Sequence, residues 1–172
     1  MATVNCLNTY IVPTTANEVT SPSQPAFLAY LGTNDNNATG NGTVYTLGSG
    51  NALTEVFDQN DDFVTTGTFT APVTGRYQFS VTLRADGFTA ATTATLKLVT
   101  SNGTYTLSST DGTTIKSPYA GSDDFIQGGM VLADMDAADT AIVTYVVSGE
   151  VGDIIIVYAN NRVTSFSGFL AV

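Results

Sequence analysis

Between residues 76 and 84 apolar and polar side chains alternate without a break: Tyr77, Phe79, Val81 and Leu83 fall on one side, Gln78, Ser80 and Thr82 on the other. A period of two is the signature of a strand with one face in a core, so the first four are predicted to be core. Residues 68–72 read as a shorter strand stopped by Pro72, and Gly75 is expected to permit the turn between the two. Residues 95–100 and 104–107 flank Ser101-Asn102-Gly103, and Asn-Gly at that spacing predicts a tight hairpin turn with positive φ angles. Residues 141–147 and 154–158 form a second strand–turn–strand unit around 148–153, and 165–172 supply a last strand.

No stretch repeats apolar residues at helical spacing, and threonine, which favours strands, is abundant. Eight to ten strands separated by turn residues predict an all-β sandwich, best drawn as a jelly roll of about ten antiparallel strands. Residues 1–25 differ: Pro13, Pro22 and Pro25 stand among Thr, Asn and Ser, a composition that favours an extended arm over a helix. The expected division is therefore an N-terminal arm or anchor, 1–25, and a jelly-roll domain, 26–172.

Composition narrows the chemistry. The 172 residues make one domain. Five basic against fifteen acidic residues give a net charge of −10, the wrong sign for a nucleic-acid backbone or an anionic membrane surface, and no apolar run approaches the roughly 20 residues that span a bilayer. There is no histidine, which removes the Ser-His-Asp triad, the Cys-His pair and histidine-ligated zinc. Cys6 is alone and is read as a plain thiol. The start of the chain lacks the basic and apolar segments of a signal peptide, so synthesis in a cytoplasm is expected.

Three ordered segments carry a resemblance: residues 69–79 (Phe69-Thr70-Ala71-Pro72 through Gly75, Tyr77 and Phe79), Gly149-Glu150-Val151-Gly152-Asp153, and Phe166-Ser167-Gly168-Phe169-Leu170, with Pro25-Ala26-Phe27-Leu28-Ala29 ahead of them. Together they resemble the globular head of complement 1q and its tumour necrosis factor-like relatives across residues 25–172. The resemblance implies a ten-stranded jelly roll that assembles as a homotrimer through one sheet and is not an enzyme. It adds Phe166 and Leu170 to the expected core. Lacking a collagen-like stem, a signal peptide and a disulfide, the chain looks like the form found in bacteriophage virion proteins. This implies a structural protein on the particle surface, a capsid decoration or head fibre, whose arm meets the major capsid protein or a fibre component. The alternative is a receptor-binding or lectin-like tail-fibre tip, or a free carbohydrate-binding protein, with a host surface glycan as partner.

Candidate sites follow. Acidic clusters stand at Asp58, Asp61 and Asp62, at Asp123 and Asp124, and at Asp134, Asp136 and Asp139. Hard oxygen ligands suit calcium, and Asp58, Asp61 and Asp62 are the favoured set, with ordinary exposed turns as the competing reading; no other cofactor is expected. Paired carboxylates could also serve glycoside hydrolysis, but nothing else in the sequence supports catalysis. The Asn-x-Thr sites at Asn37, Asn41 and Asn102 read as turn residues, and residues 34–42 as the loop where a ligand would be recognised. Gln78, Ser80 and Thr82, with Phe169, are the expected trimer contact, plain solvent exposure being the alternative.

Overall fold

The structure, a computed structural model, describes residues 23–112, 115 and 124–172, together with the backbone of two short arm strands, β1 (Val12–Pro13) and β2 (Val19–Thr20). The arm strands pair with each other. Then follow β3 (Ala26–Leu31), β4 (Asp35–Thr39), β5 (Val44–Thr46), β6 (Leu53–Asp58), β7 (Phe63–Val64), β8 (Thr68–Thr70) and β9 (Gly75–Asp86). The second half holds β10 (Thr93–Thr100), β11 (Gly103–Asp111), β12 (Phe125–Met135), β13 (Thr140–Ser148), β14 (Ile155–Val157) and β15 (Ser165–Leu170).

Two antiparallel sheets face each other as a jelly roll. One runs β11-β10-β13-β8-β7, with β5 also on β13; the other runs β4-β14-β9-β15-β3-β6, with β12 on the free edge of β9. The strand count exceeds ten because the polar stretch 35–70 is broken into short pieces, each long enough for only a few ladder bonds.

Residues 25–29, 69–79 and 166–170 supply the centre of the core, whereas residues 149–153 form a turn outside it, with Val151 fully exposed. Phe27 stacks on Phe63 at 4.6 Å and on Phe69 at 5.1 Å, and meets Phe166 edge-on at 4.9 Å. Phe69 reaches Phe79 at 5.5 Å, and Tyr77 lies against both. Such aromatic pairs add about 0.5–1.5 kcal/mol each beyond the area they bury. Gly168 makes the cluster possible: a Cβ there would lie 2.6 Å from Phe79 Cδ1 and 2.8 Å from Phe27 Cε1. Tyr77, Phe79, Val81, Leu83 and Phe166 are buried, while Leu170 is half-buried and packs against the core from its rim. The Tyr77 hydroxyl donates to the Val73 carbonyl at 2.7 Å, fastening the turn before β9.

Two turns differ from the sequence expectation. The β10–β11 hairpin is present, but Thr100 pairs with Gly103, so the connecting residues are Ser101 and Asn102 and neither has a positive φ. Side chains hold this turn instead: Asn102 Nδ2 donates to Asp139 Oδ2 at 2.5 Å, and Ser101 Oγ lies 3.2 Å from Thr140 Oγ1. Gly75 likewise has no positive φ. It is the first residue of β9, and a Cβ would lie 2.7 Å from the Val172 carbonyl oxygen, so close approach, not turn geometry, requires it.

Most of residues 1–22, the expected arm, Cys6 included, and Asp123 lie outside the described residues. Residues 23–25 are tied to the jelly roll: Gln24 Nε2 donates to the Leu170 carbonyl at 2.6 Å, Leu170 N to the Pro25 carbonyl at 3.0 Å, and Asn60 Nδ2 to the Ser23 carbonyl at 3.0 Å. No helix among the described residues is long and apolar enough to cross a membrane.

Candidate interaction face and loop sites

The register of the larger sheet fixes what its outer face presents. Because Tyr77, Phe79, Val81 and Leu83 point inward, Gln78, Ser80 and Thr82 point outward. Across the strands, one row reads Met130–Ser80–Ser167–Leu28–Phe57, the next Leu132–Gln78–Phe169–Ala26, and a third Gly128–Thr82–Ser165–Tyr30–Thr54. A hydroxyl and amide stripe thus runs down β9 and β15, with apolar side chains on both flanks. Met130 is 74% exposed, Ile126 53%, Leu132 50%, Phe57 49% and Phe169 47%. Isolated apolar residues on a surface are ordinary, but several sharing one flat sheet face form a patch that calls for a partner. Of the residues expected to make a contact, Gln78 and Phe169 are therefore direct cross-strand neighbours, and Ser80 and Thr82 continue the same stripe.

The three arginines of the chain gather at this face. Arg76 and Arg84 alternate outward from β9, and the Arg162 guanidinium sits 4.7 Å from the centre of the Tyr30 ring. Arg76 meets Asp134 at 3.7 Å, with both side chains in water. Arg84 is better placed, pairing with Asp124 at 2.7 Å and lying 4.9 Å over the Tyr158 ring.

The three aspartates favoured for calcium take different places in the β6–β7 turn. Asp58 Oδ2 accepts the Phe63 N–H at 2.8 Å and so closes the β6–β7 turn, and Asp61 turns that corner with φ 60°. Burial, then the negative charge of Asp58, raise the Asp62 carboxyl above its usual range. Asp58 Oδ1 and Asp62 Oδ2 are buried without a hydrogen-bond partner, and no group of three acidic or cysteine side chains converges among the described residues. Among the described residues of the other acidic clusters, several carboxylates are engaged. Asp124 holds Arg84, Asp139 Oδ2 accepts the Asp136 N–H at 2.7 Å, and the Thr74 hydroxyl donates to Asp136 at 3.4 Å. Among the sequons, Asn37 occupies left-handed backbone, Asn41 N donates to Asp153 Oδ1 at 3.2 Å, and Asn102 holds the hairpin.

Two buried carboxylates lay beyond sequence reasoning. Glu150, 7% exposed, accepts the backbone N–H groups of Thr89, Ala90 and Ala91, each at 2.8 Å, and the Thr89 hydroxyl at 2.6 Å. Burial pushes its carboxyl up, but these hydrogen bonds outweigh it and hold the group below its usual value. Asp35, 4% exposed, accepts Tyr45 OH on one oxygen and Asn51 Nδ2 at 2.5 Å on the other. Burial first, and the Asp35 bond second, drive the Tyr45 phenol far above its normal range, so it stays a donor.

The fold is the jelly roll shared by complement 1q heads and tumour necrosis factor-like domains. The globular domain of zebrafish complement 1qA superposes with a TM-score of 0.51 and 18% identity, over 86% of this chain and 98% of that one. Murine APRIL at pH 8.0 gives 0.55 and 9%, over 87% and 100%, and at pH 8.5 gives 0.54 and 7%, over 86% and 99%. No family model matches the sequence, and no curated protein does.

Proposed function

We propose that this chain is a non-catalytic structural subunit that forms a homotrimer through the outer face of its larger sheet and decorates a bacteriophage particle, its N-terminal arm meeting the capsid or a fibre. The observation that carries the assembly is the set of half-exposed or more exposed apolar side chains Met130, Leu132, Phe169, Phe57 and Ile126 on one sheet face, which a second copy would take out of water. The jelly-roll fold and the sequence resemblance to phage virion proteins support the setting. So does the balance of the chain, acidic and independent of disulfides, as suits a protein folded in a bacterial cytoplasm.

Native mass spectrometry tests the assembly: a species at three times 17.9 kDa is expected, and Met130→Lys with Phe169→Lys should give a folded monomer with unchanged far-ultraviolet circular dichroism. A wild-type monomer at micromolar concentration would overturn it. Immunogold labelling of purified particles tests the setting. Label over the heads supports decoration, label confined to tail tips supports a receptor-binding tip instead, and unlabelled particles remove the virion reading.

A further inference from the structure

Two clefts open side by side on the flank of the sandwich, where β3 crosses into β4. One, of about 400 Å³, is lined by residues 34–38, Tyr45 and residues 49–51; the other, of about 500 Å³, by residues 32–34 and 158–161. Both fall within the size range of small-molecule sites, roughly 300–1,000 Å³. Asn34 is common to both and holds their walls. Its carbonyl accepts Asn51 Nδ2 at 3.2 Å, and its side-chain Oδ1 accepts the Ala159 N–H at 2.8 Å.

We infer that this double cleft binds a neutral saccharide, with Asn34, Asn36, Asn51 and Asn160 as its hydrogen-bonding residues. The chemistry of the lining selects the ligand class. Asp35 forms the floor, and each of its oxygens is already engaged by an uncharged donor, Tyr45 or Asn51. The carboxylate therefore orients an amide and a phenol instead of awaiting a cation, and no group of three metal-ligating side chains accompanies it among the described residues. Its negative charge disfavours an anion. An apolar ligand would strip water from a wall of amides and hydroxyls and return nothing. A polyhydroxylated ring offers donors and acceptors in all directions, as primary amides do, and Tyr158 contributes an aromatic ring to the second cleft.

The wall of the site is also closely packed. Gly50 presses its turn onto Asp35 so closely that a Cβ would stand 2.6 Å from Oδ1. Among the described residues, two of the five non-glycine positions in left-handed backbone, Asn37 and Asn161, line the clefts, and backbone of that kind concentrates where a surface is shaped for a ligand.

The test uses the full chain on an array of neutral and acidic glycans, followed by titration calorimetry with the neutral oligosaccharides retained. Asn36→Ala and Asn160→Ala alter exposed side chains. Each should weaken binding about two- to tenfold, the worth of one neutral hydrogen bond, while the native mass stays that of the wild type. Retention of acidic glycans alone, no retention at all, or affinity unchanged in both variants would overturn the inference. The assembly reading fails separately, by mass.

Discussion

Glu150 fastens the 87–92 loop to the β13–β14 turn, and removing its charge should loosen that end of the sandwich. In Glu150→Gln the amide oxygen can still accept the N–H groups of Thr89, Ala90 and Ala91, and the amide nitrogen can donate to the Thr89 hydroxyl, so shape and pairing survive. What goes is the charge on four bonds of 2.6–2.8 Å. Bonds to a charged group contribute about 1.5–3 kcal/mol and neutral ones about 0.5–1.5; since four bonds to one carboxylate are not additive, the expected loss is about 1–3 kcal/mol. Glu150→Ala also strands three backbone donors and should cost about 3–5 kcal/mol. Because the folded carboxyl is held below its unfolded value, its contribution is full above the unfolded pKa of about 4.3 and is lost as pH falls through the folded one. Urea unfolding of all three proteins at one fixed concentration, at pH 7 and at pH 2.5, reads this out. The wild type should lead the Gln variant at pH 7, and that lead should narrow in acid. Equal midpoints at pH 7, or a gap that does not narrow in acid, would refute the reasoning.

Two glycines separate backbone need from packing need. A Cβ added at Gly103 would meet nothing within 4 Å, and the residue has no positive φ, so Gly103→Ala should leave the urea midpoint unchanged or raise it, by at most about 1 kcal/mol; a loss of more than that would restore the Asn-Gly turn. Gly168→Ala should cost about 1–3 kcal/mol through overpacking against Phe27 and Phe79, and a near-ultraviolet circular dichroism spectrum identical to wild type with an unchanged midpoint would refute the close contact.

What could be read from the chain was what repeats locally. The alternation of β9 and the Phe, Tyr and Gly spacing of its flanking motifs marked the aromatic core because a strand declares its inward face every second residue. The outward stripe followed from the same parity, and Phe169 lands beside Gln78 in register. The carboxylates escaped because their partners are remote: Glu150 binds residues 59–61 positions away, and Asp35 is defined by Tyr45 and Asn51 across two turns. Spacing misled at the hairpin, where Asn-Gly at 102–103 lies one residue past the position a type I′ turn requires.

The proposed assembly has an electrostatic consequence that distinguishes apolar contact from ion pairing. Each subunit carries −10, so three subunits bring together 3 × −10 = −30, and this repulsion must be overcome by burial of the sheet face. Salt shortens the reach of that repulsion, from about 30 Å at 0.01 M to about 10 Å at 0.1 M, and leaves hydrophobic burial intact. Arg76 and Arg84 are already matched within the subunit by Asp134 and Asp124, which leaves those pairs little to offer a neighbour. Sedimentation equilibrium should therefore show tighter association at 0.3 M NaCl than at 0.02 M. Weaker association at the higher salt would mean that charge pairs, not Met130, Leu132 and Phe169, hold the subunits together.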